Sequence, residues 1–196
     1  MAEISVEQIK KLKELSGAGL TDAKKALVEA NGDFDKALEA MRKKGLTKAE
    51  KRGDRETREG LVEAYIHDGR LGAIVEVNCE TSFVAKTDEF KTLAHQIAMQ
   101  VASMAPLYVS EDDIPEEVRK AKMKELEENF KGPENMKEQI LSGQVKKAFS
   151  DKVLMNQPYI LDDTKTVEQF IKEAIAKTGE NITVKQFKRI ELGVTE

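Results

Sequence analysis

The sequence predicts an α+β fold: a three-helix N-terminal bundle, a linker helix, and a core whose three-stranded antiparallel sheet is covered on one face by helices. Three observations carry this. Residues 1–45 hold three separate helical periodicities, each with its own start and stop signals. Two apolar, β-branched-rich runs flank Asp68-Gly69, a strong hairpin-turn pair because glycine tolerates positive φ. A third extended run, 182–192, follows the last helix and can pair with that hairpin.

The first helix opens on Ser5-Val6-Glu7-Gln8, a capping box with Ser and Gln three apart. Ile9, Leu12 and Leu15 are its apolar positions, and Gly17-Ala18-Gly19 breaks it. The second carries Ala23, Ala26, Leu27 and Ala30 on one face and stops at Asn31-Gly32. Asp33 caps the third, where Phe34, Ala37, Leu38 and Met41 follow the i, i+3, i+4, i+7 rule up to Gly45. So small a bundle, which resembles a ubiquitin-associated fold, has little core of its own.

Residues 46–59 read as a helical linker, polar all round, with Lys48, Lys51, Arg52, Arg55 and Arg58 interleaved with Glu50, Asp54, Glu56 and Glu59. The core follows over 60–196, with strands at 61–67 and 71–77. Thr87-Asp88-Glu89 then caps a long helix over 90–104, whose buried face is Phe90, Leu93, Ala94, Ile97, Ala98 and Val101, and Pro106 ends it. A charged helical excursion spans about 110–150. Pro115 opens one helix bearing Met123, Leu126 and Phe130, and after Gly132-Pro133 a second is lined by Met136, Ile140, Leu141, Val145 and Phe149. Thr166-Val167-Glu168-Gln169 is a further capping box. Its helix carries a stripe of Val167, Phe170, Ile171, Ala174 and Ile175, stopped by Gly179.

Composition bounds the function. The chain has 196 residues, 40% hydrophobic, enough for a real core, and a net charge of −4 that argues against a general nucleic-acid binder. No apolar run approaches the ~20 residues of a membrane helix, so no membrane partner is expected. No charged-then-apolar leader opens the sequence, and a single cysteine, Cys79, fits a reducing cytoplasm. No catalytic constellation is present. His67 and His95 lie on different elements, no Cys/His cluster has metal-ligand spacing, and Gly17-Ala18-Gly19 lacks the Lys-Ser/Thr ending of a phosphate loop. We expect no enzyme activity, no metal and no cofactor.

The most informative stretch is Asn78-Cys79-Glu80-Thr81-Ser82-Phe83-Val84-Ala85-Lys86, where a strand ends and a helix begins. Ser82 is a good N-cap type. Phe83, at the first helical position, either folds back into the core or stands out as an aromatic knob for a partner.

This stretch resembles the Asn-Cys-x-Thr-Asp-Phe-Val-Ala-Lys/Arg signature of the elongation factor Ts family. So do Ser16-Gly17-Ala18-Gly19-Leu20-Thr21-Asp22-Ala23-Lys24-Lys25-Ala26-Leu27, then Asn156-Gln157-Pro158-Tyr159, Lys165-Thr166-Val167 and Arg189-Ile190-Glu191-Leu192-Gly193, in family order along the whole chain. The resemblance implies a partner, elongation factor Tu, and a task, release of its GDP. Thr81, Ser82, Phe83 and Val84 would enter a cleft beside the partner's magnesium site. Lys13, Leu20 and Thr21 would touch its nucleotide-binding domain; the family commonly has Met-Met where Leu20 and Thr21 stand, so Leu20 would carry most of the apolar contact. Ser82 replaces the family's Asp and removes a negative charge. Short family members form homodimers through their sheets, and this chain has room for one core copy only. The alternative is a non-enzymatic ribosome- or RNA-associated adaptor using the basic run 42–58, which would bind RNA with a steep salt dependence.

Overall fold

A computed structural model describes residues 4–130, 132–133 and 136–194. The side chains of Leu46 and Lys48 lie outside what is described. The chain divides into two compact units, residues 1–62 with 76–94 and 169–184, and residues 63–75 with 95–168 and 185–196.

In the first unit, helices α1 (Val6–Ser16), α2 (Leu20–Glu29) and α3 (Phe34–Glu50) form the bundle. Ser5 and Gln8 make the reciprocal capping box, and Asp33 accepts from the Lys36 amide. Ile9, Leu12, Ala23, Leu27, Ala37 and Met41 are the bundle's buried core. Leu15 was expected to join them but is 53% exposed. Steps of three fall 60° short of a full turn, so the second step from Ile9 has rotated off the buried face.

Gly45 was expected to end the third helix, and 46–59 to form a separate helical linker. Instead α3 runs on through Gly45 to Glu50, turns follow, and β1 begins at Glu59. The reason is packing. A Cβ on Gly45 would lie 3.2 Å from the Ala176 Cβ of helix α8 (Val167–Thr178), so the glycine permits close approach of two helices. The basic run beyond it is engaged locally: Arg52 donates to the Ile175 carbonyl at the end of α8, Arg55 pairs with Glu80 and Arg58 with Glu56.

Strands β1 (Glu59–His67), β2 (Leu71–Cys79) and β5 (Ile182–Glu191) form an antiparallel sheet in the order β1-β2-β5. Asp68 and Gly69 both have positive φ, 50° and 65°, as a two-residue hairpin turn requires. On β2, Ala73, Val75, Val77 and Cys79 are buried, while Ile74 on the opposite face is exposed. On β5 the inward set slips by one residue. Ile182 and Val184 are buried, Lys185 and Gln186 are both exposed, and Phe187 and Arg189 then turn inward. Arg189 Nε donates to the Ala102 carbonyl at 2.9 Å. The slip leaves Ile190 pointing outward, 76% exposed.

Helix α5 (Asp88–Met104) starts where Thr87 Oγ1 accepts from the Phe90 amide and stops before Ala105, whose φ is 45°. Phe90, Leu93, Ala94, Ile97, Ala98 and Val101 are all buried. In the second unit, α6 (Glu116–Glu128) and α7 (Lys137–Phe149) bracket a satellite core of Ile114, Val145, Phe149 and Val153. Met136, expected in the stripe of the last helix, is half exposed, because it precedes the first helical residue and does not share the helix period. A small sheet of β3 (Pro158–Tyr159) and β4 (Asp162–Thr166) was not anticipated. Gln100 and Gln157, both fully buried, hold it in place: Gln100 Nε2 donates to Gln157 Oε1 and the Pro158 carbonyl, and Gln157 donates to the Met104 and Asp151 carbonyls.

Candidate functional site

The signature stretch forms a rigid step between β2 and α5. Cys79 closes β2 with its thiol fully buried, donating to the Thr81 carbonyl. Burial, reinforced by the Glu180 carboxylate, pushes this thiol up to about 11. It is therefore an unreactive core group at neutral pH.

Helix α4 (Ser82–Ala85) follows, one turn long. Its cap is Thr81, whose hydroxyl accepts from the Val84 amide at 3.4 Å, and not Ser82 as the residue type suggested. The strand runs on past the expected 77 to Cys79 and the helix starts one residue earlier than expected, so Ser82 becomes the first helical residue and Phe83 the second. Thr87 anchors the far side, its hydroxyl donating to the Val84 carbonyl at 2.8 Å. A single turn has two faces. Val84 and Ala85 point inward and are buried, and Ser82 and Phe83 point outward. The Phe83 ring is 80% exposed, the most exposed of the chain's large apolar side chains among the described residues. Burial of a benzyl side chain is worth about 2 kcal/mol, so holding one in water needs a fixed backbone beneath it.

That backbone is fixed from afar. The Glu180 carboxylate, at the turn after α8, accepts from the Thr81 amide at 3.0 Å and from the Thr81 hydroxyl at 2.6 Å. Glu80 Oε1 accepts from the Asn181 amide at 2.6 Å and from the Arg55 guanidinium at 3.4 Å. Buried Asn181 donates through Nδ2 to the Gly53 and Arg55 carbonyls. Three chain segments, 53–55, 79–81 and 178–181, are knotted here. Sequence reading missed Glu180, Asn181 and Arg55. Partners about a hundred positions apart leave no local signal.

Of the sequence-predicted residues, Thr81, Ser82 and Phe83 are exposed together, and Val84 lies beneath them. Lys13 on α1, and Leu20 and Thr21 in the first turn of α2, are likewise exposed; Leu20 is 54% accessible although apolar. His67 and His95 both come against Tyr65. His67 Nδ1 meets its hydroxyl at 2.9 Å, and the His95 ring stacks edge-on at 5.7 Å while pairing with Glu63. No group of three potential metal-ligating side chains gathers among the described residues, and none of their helices is long and apolar enough to cross a membrane. The arrangement offers an apolar projection on a braced support, which is the chemistry of docking.

Comparison with known proteins gives the same direction. The pattern of a family described as Elongation factor TS matches residues 3–194. A protein named elongation factor Ts from Thermotoga sp. (strain RQ2) is 53% identical over 193 residues, covering 97% of this chain and 97% of its own length. Proteins of the same name from Moorella thermoacetica and Rippkaea orientalis are 50% and 51% identical. They cover 97% and 98% of this chain, and 96% and 80% of their own lengths.

Proposed function

The chain belongs to the elongation factor Ts family, non-enzymatic nucleotide-exchange factors of elongation factor Tu, and from that premise we propose that Phe83 is the wedge by which it loosens GDP from its partner. A GTPase holds its nucleotide through backbone amides around the phosphates and a magnesium ion bridging phosphate oxygens. A braced ring entering beside that site displaces the groups that order the ion. Once the cation goes, phosphate charge is uncompensated and GDP leaves. The observation supporting this reading is the 80% exposure of Phe83 above a buried Val84-Ala85 base.

Thr81, Ser82 and Phe83 form the contact, and Val84 carries the load from below. Lys13, Leu20 and Thr21 supply a second grip, with Leu20 contributing the apolar area. Outer contacts provide the free energy that the distortion requires, since binding favours the distorted partner only by its differential affinity. Ser82 sits outward beside Phe83, so the missing family carboxylate is lost at the partner's surface while the turn's own cap, Thr81, is kept.

The experiment is release of a fluorescent GDP analogue from the cognate elongation factor Tu. Phe83→Ala removes about 2–4 kcal/mol of coupling, as at an interface hot spot, with melting unchanged. Release as fast with the variant as with the native chain refutes the wedge.

We infer also that a second copy of the chain covers the open face of the sheet. Ile66, Ile74, Ile190 and Leu192 are exposed. A small sheet with β1 and β5 as its outer strands and such a face gains most from a partner of its own kind.

A further inference from the structure

The ring is only as stiff as the turn that carries it. A four-residue helix closes too few hydrogen bonds to persist alone. Its direction is set by its cap, and the Thr81 cap is itself held. The Thr81 hydroxyl has two roles at once, accepting from the Val84 amide and donating to Glu180 Oε1 at 2.6 Å. Glu180 Oε2 takes the Thr81 amide at 3.0 Å, so one carboxylate grips both polar groups of the cap. Bonds to an ionised acceptor are about twice as strong as neutral ones.

Glu180 is in turn fixed. Its amide donates to Thr178 Oγ1 at 3.3 Å, and that hydroxyl donates to the Ala174 carbonyl inside α8. Gly179 makes the turn with φ 81°. One residue further, Asn181 ties the same turn to Glu80 and to the 53–55 segment.

We propose that Glu180 is a positioning residue for Phe83: its carboxylate locks the Thr81 cap against the end of α8 and thereby sets the direction in which the ring projects. This rests on the wedge reading of Phe83. Glu180 need not touch the partner to act. It holds the turn in its binding geometry before the encounter, so ordering it adds nothing to the barrier when the ring enters.

The test is a set of variants measured for GDP release from elongation factor Tu across exchange-factor concentrations. Glu180→Ala lowers the maximal release rate about tenfold, the scale of a small misplacement of a reacting contact. The concentration for half-maximal release changes less than twofold, because the outer grips remain. Glu180→Gln keeps an acceptor for the amide and recovers most of the rate. The double variant Phe83→Ala/Glu180→Ala is no slower than Phe83→Ala, because Glu180 acts only through the ring. Should Glu180→Ala melt early, Thr81→Val removes the gripped hydroxyl at constant volume and reads the Glu180 grip together with the cap it holds on the Val84 amide. Phe83→Ala slow with Glu180→Ala at the native rate, or losses that multiply in the double variant, overturns the positioning role alone. Phe83→Ala at the native rate overturns the wedge reading and the positioning role with it.

Discussion

Cys79 shows how much of the signature stretch is core rather than contact surface. Its thiol is buried, and its pKa is pushed up to about 11, first by burial and then by the Glu180 carboxylate. The native state keeps the proton to higher pH than the unfolded chain, whose thiol ionises near 9. The stabilisation is therefore complete below pH 9 and is lost as pH rises through about 11. Over that window the native protein should lose on the order of 2 kcal/mol more than a Cys79→Ala variant, measured by urea unfolding at fixed pH values. Parallel curves for the two proteins would show that the thiol is not held neutral. At the same scale, the sequence marked this stretch as a strand-to-helix junction but not the role of each atom. Ser82 and Thr81 are both good capping types, and the one that caps, Thr81, is the one whose amide and hydroxyl are held by Glu180, 99 positions away.

At the scale of elements, what was legible was whatever local chemistry decides. The Ser5 box, the Asp33 cap, the Asp68-Gly69 turn and the α5 stripe stand where their residues predict. What was not legible was the purpose of a glycine. Gly45 reads as a stop, yet it lies inside a helix and serves contact with Ala176. Gly60 lies inside β1 with φ 152°, and a Cβ there would stand 2.2 Å from the Val77 carbonyl oxygen and 2.7 Å from the Asn78 Cα. Backbone cannot yield as a side-chain tip can. Gly60→Ala should cost more than about 2 kcal/mol in thermal unfolding, from strain and forced separation of the strands. A variant melting within about a degree of the native protein would mean that the hairpin pairs loosely at this point. The β3-β4 sheet escaped sequence reading for a different reason: Asp162-Asp163-Thr164-Lys165-Thr166 has no apolar alternation, and its position is imposed by Gln100 and Gln157.

At the scale of the whole molecule, exchange and the proposed pairing with a second copy place different demands on the surface. Exchange demands reciprocity: whatever factor the chain removes from the affinity of elongation factor Tu for GDP, GDP removes from the affinity for the chain, so incoming nucleotide must be able to dissolve the complex. The proposed self-association would use other residues. The open side of the sheet carries Ile66, Ile74 and Ile190, exposed at 70%, 47% and 76%. A monomer would leave this aliphatic face in water, with β1 and β5 as the outer strands beside it. None of these side chains is needed to fill the interior, so replacing one tests association without opening the core. The native chain is expected to sediment at twice the monomer mass at micromolar concentration, and Ile190→Glu at the monomer mass with an unchanged circular dichroism spectrum. Because a dimer is stabilised by mass action, the native melting temperature should also rise with protein concentration while that of the variant stays flat. A native chain that sediments as a monomer at every concentration, with a concentration-independent melting temperature, would leave the face free for a different partner and would remove the second copy from the account.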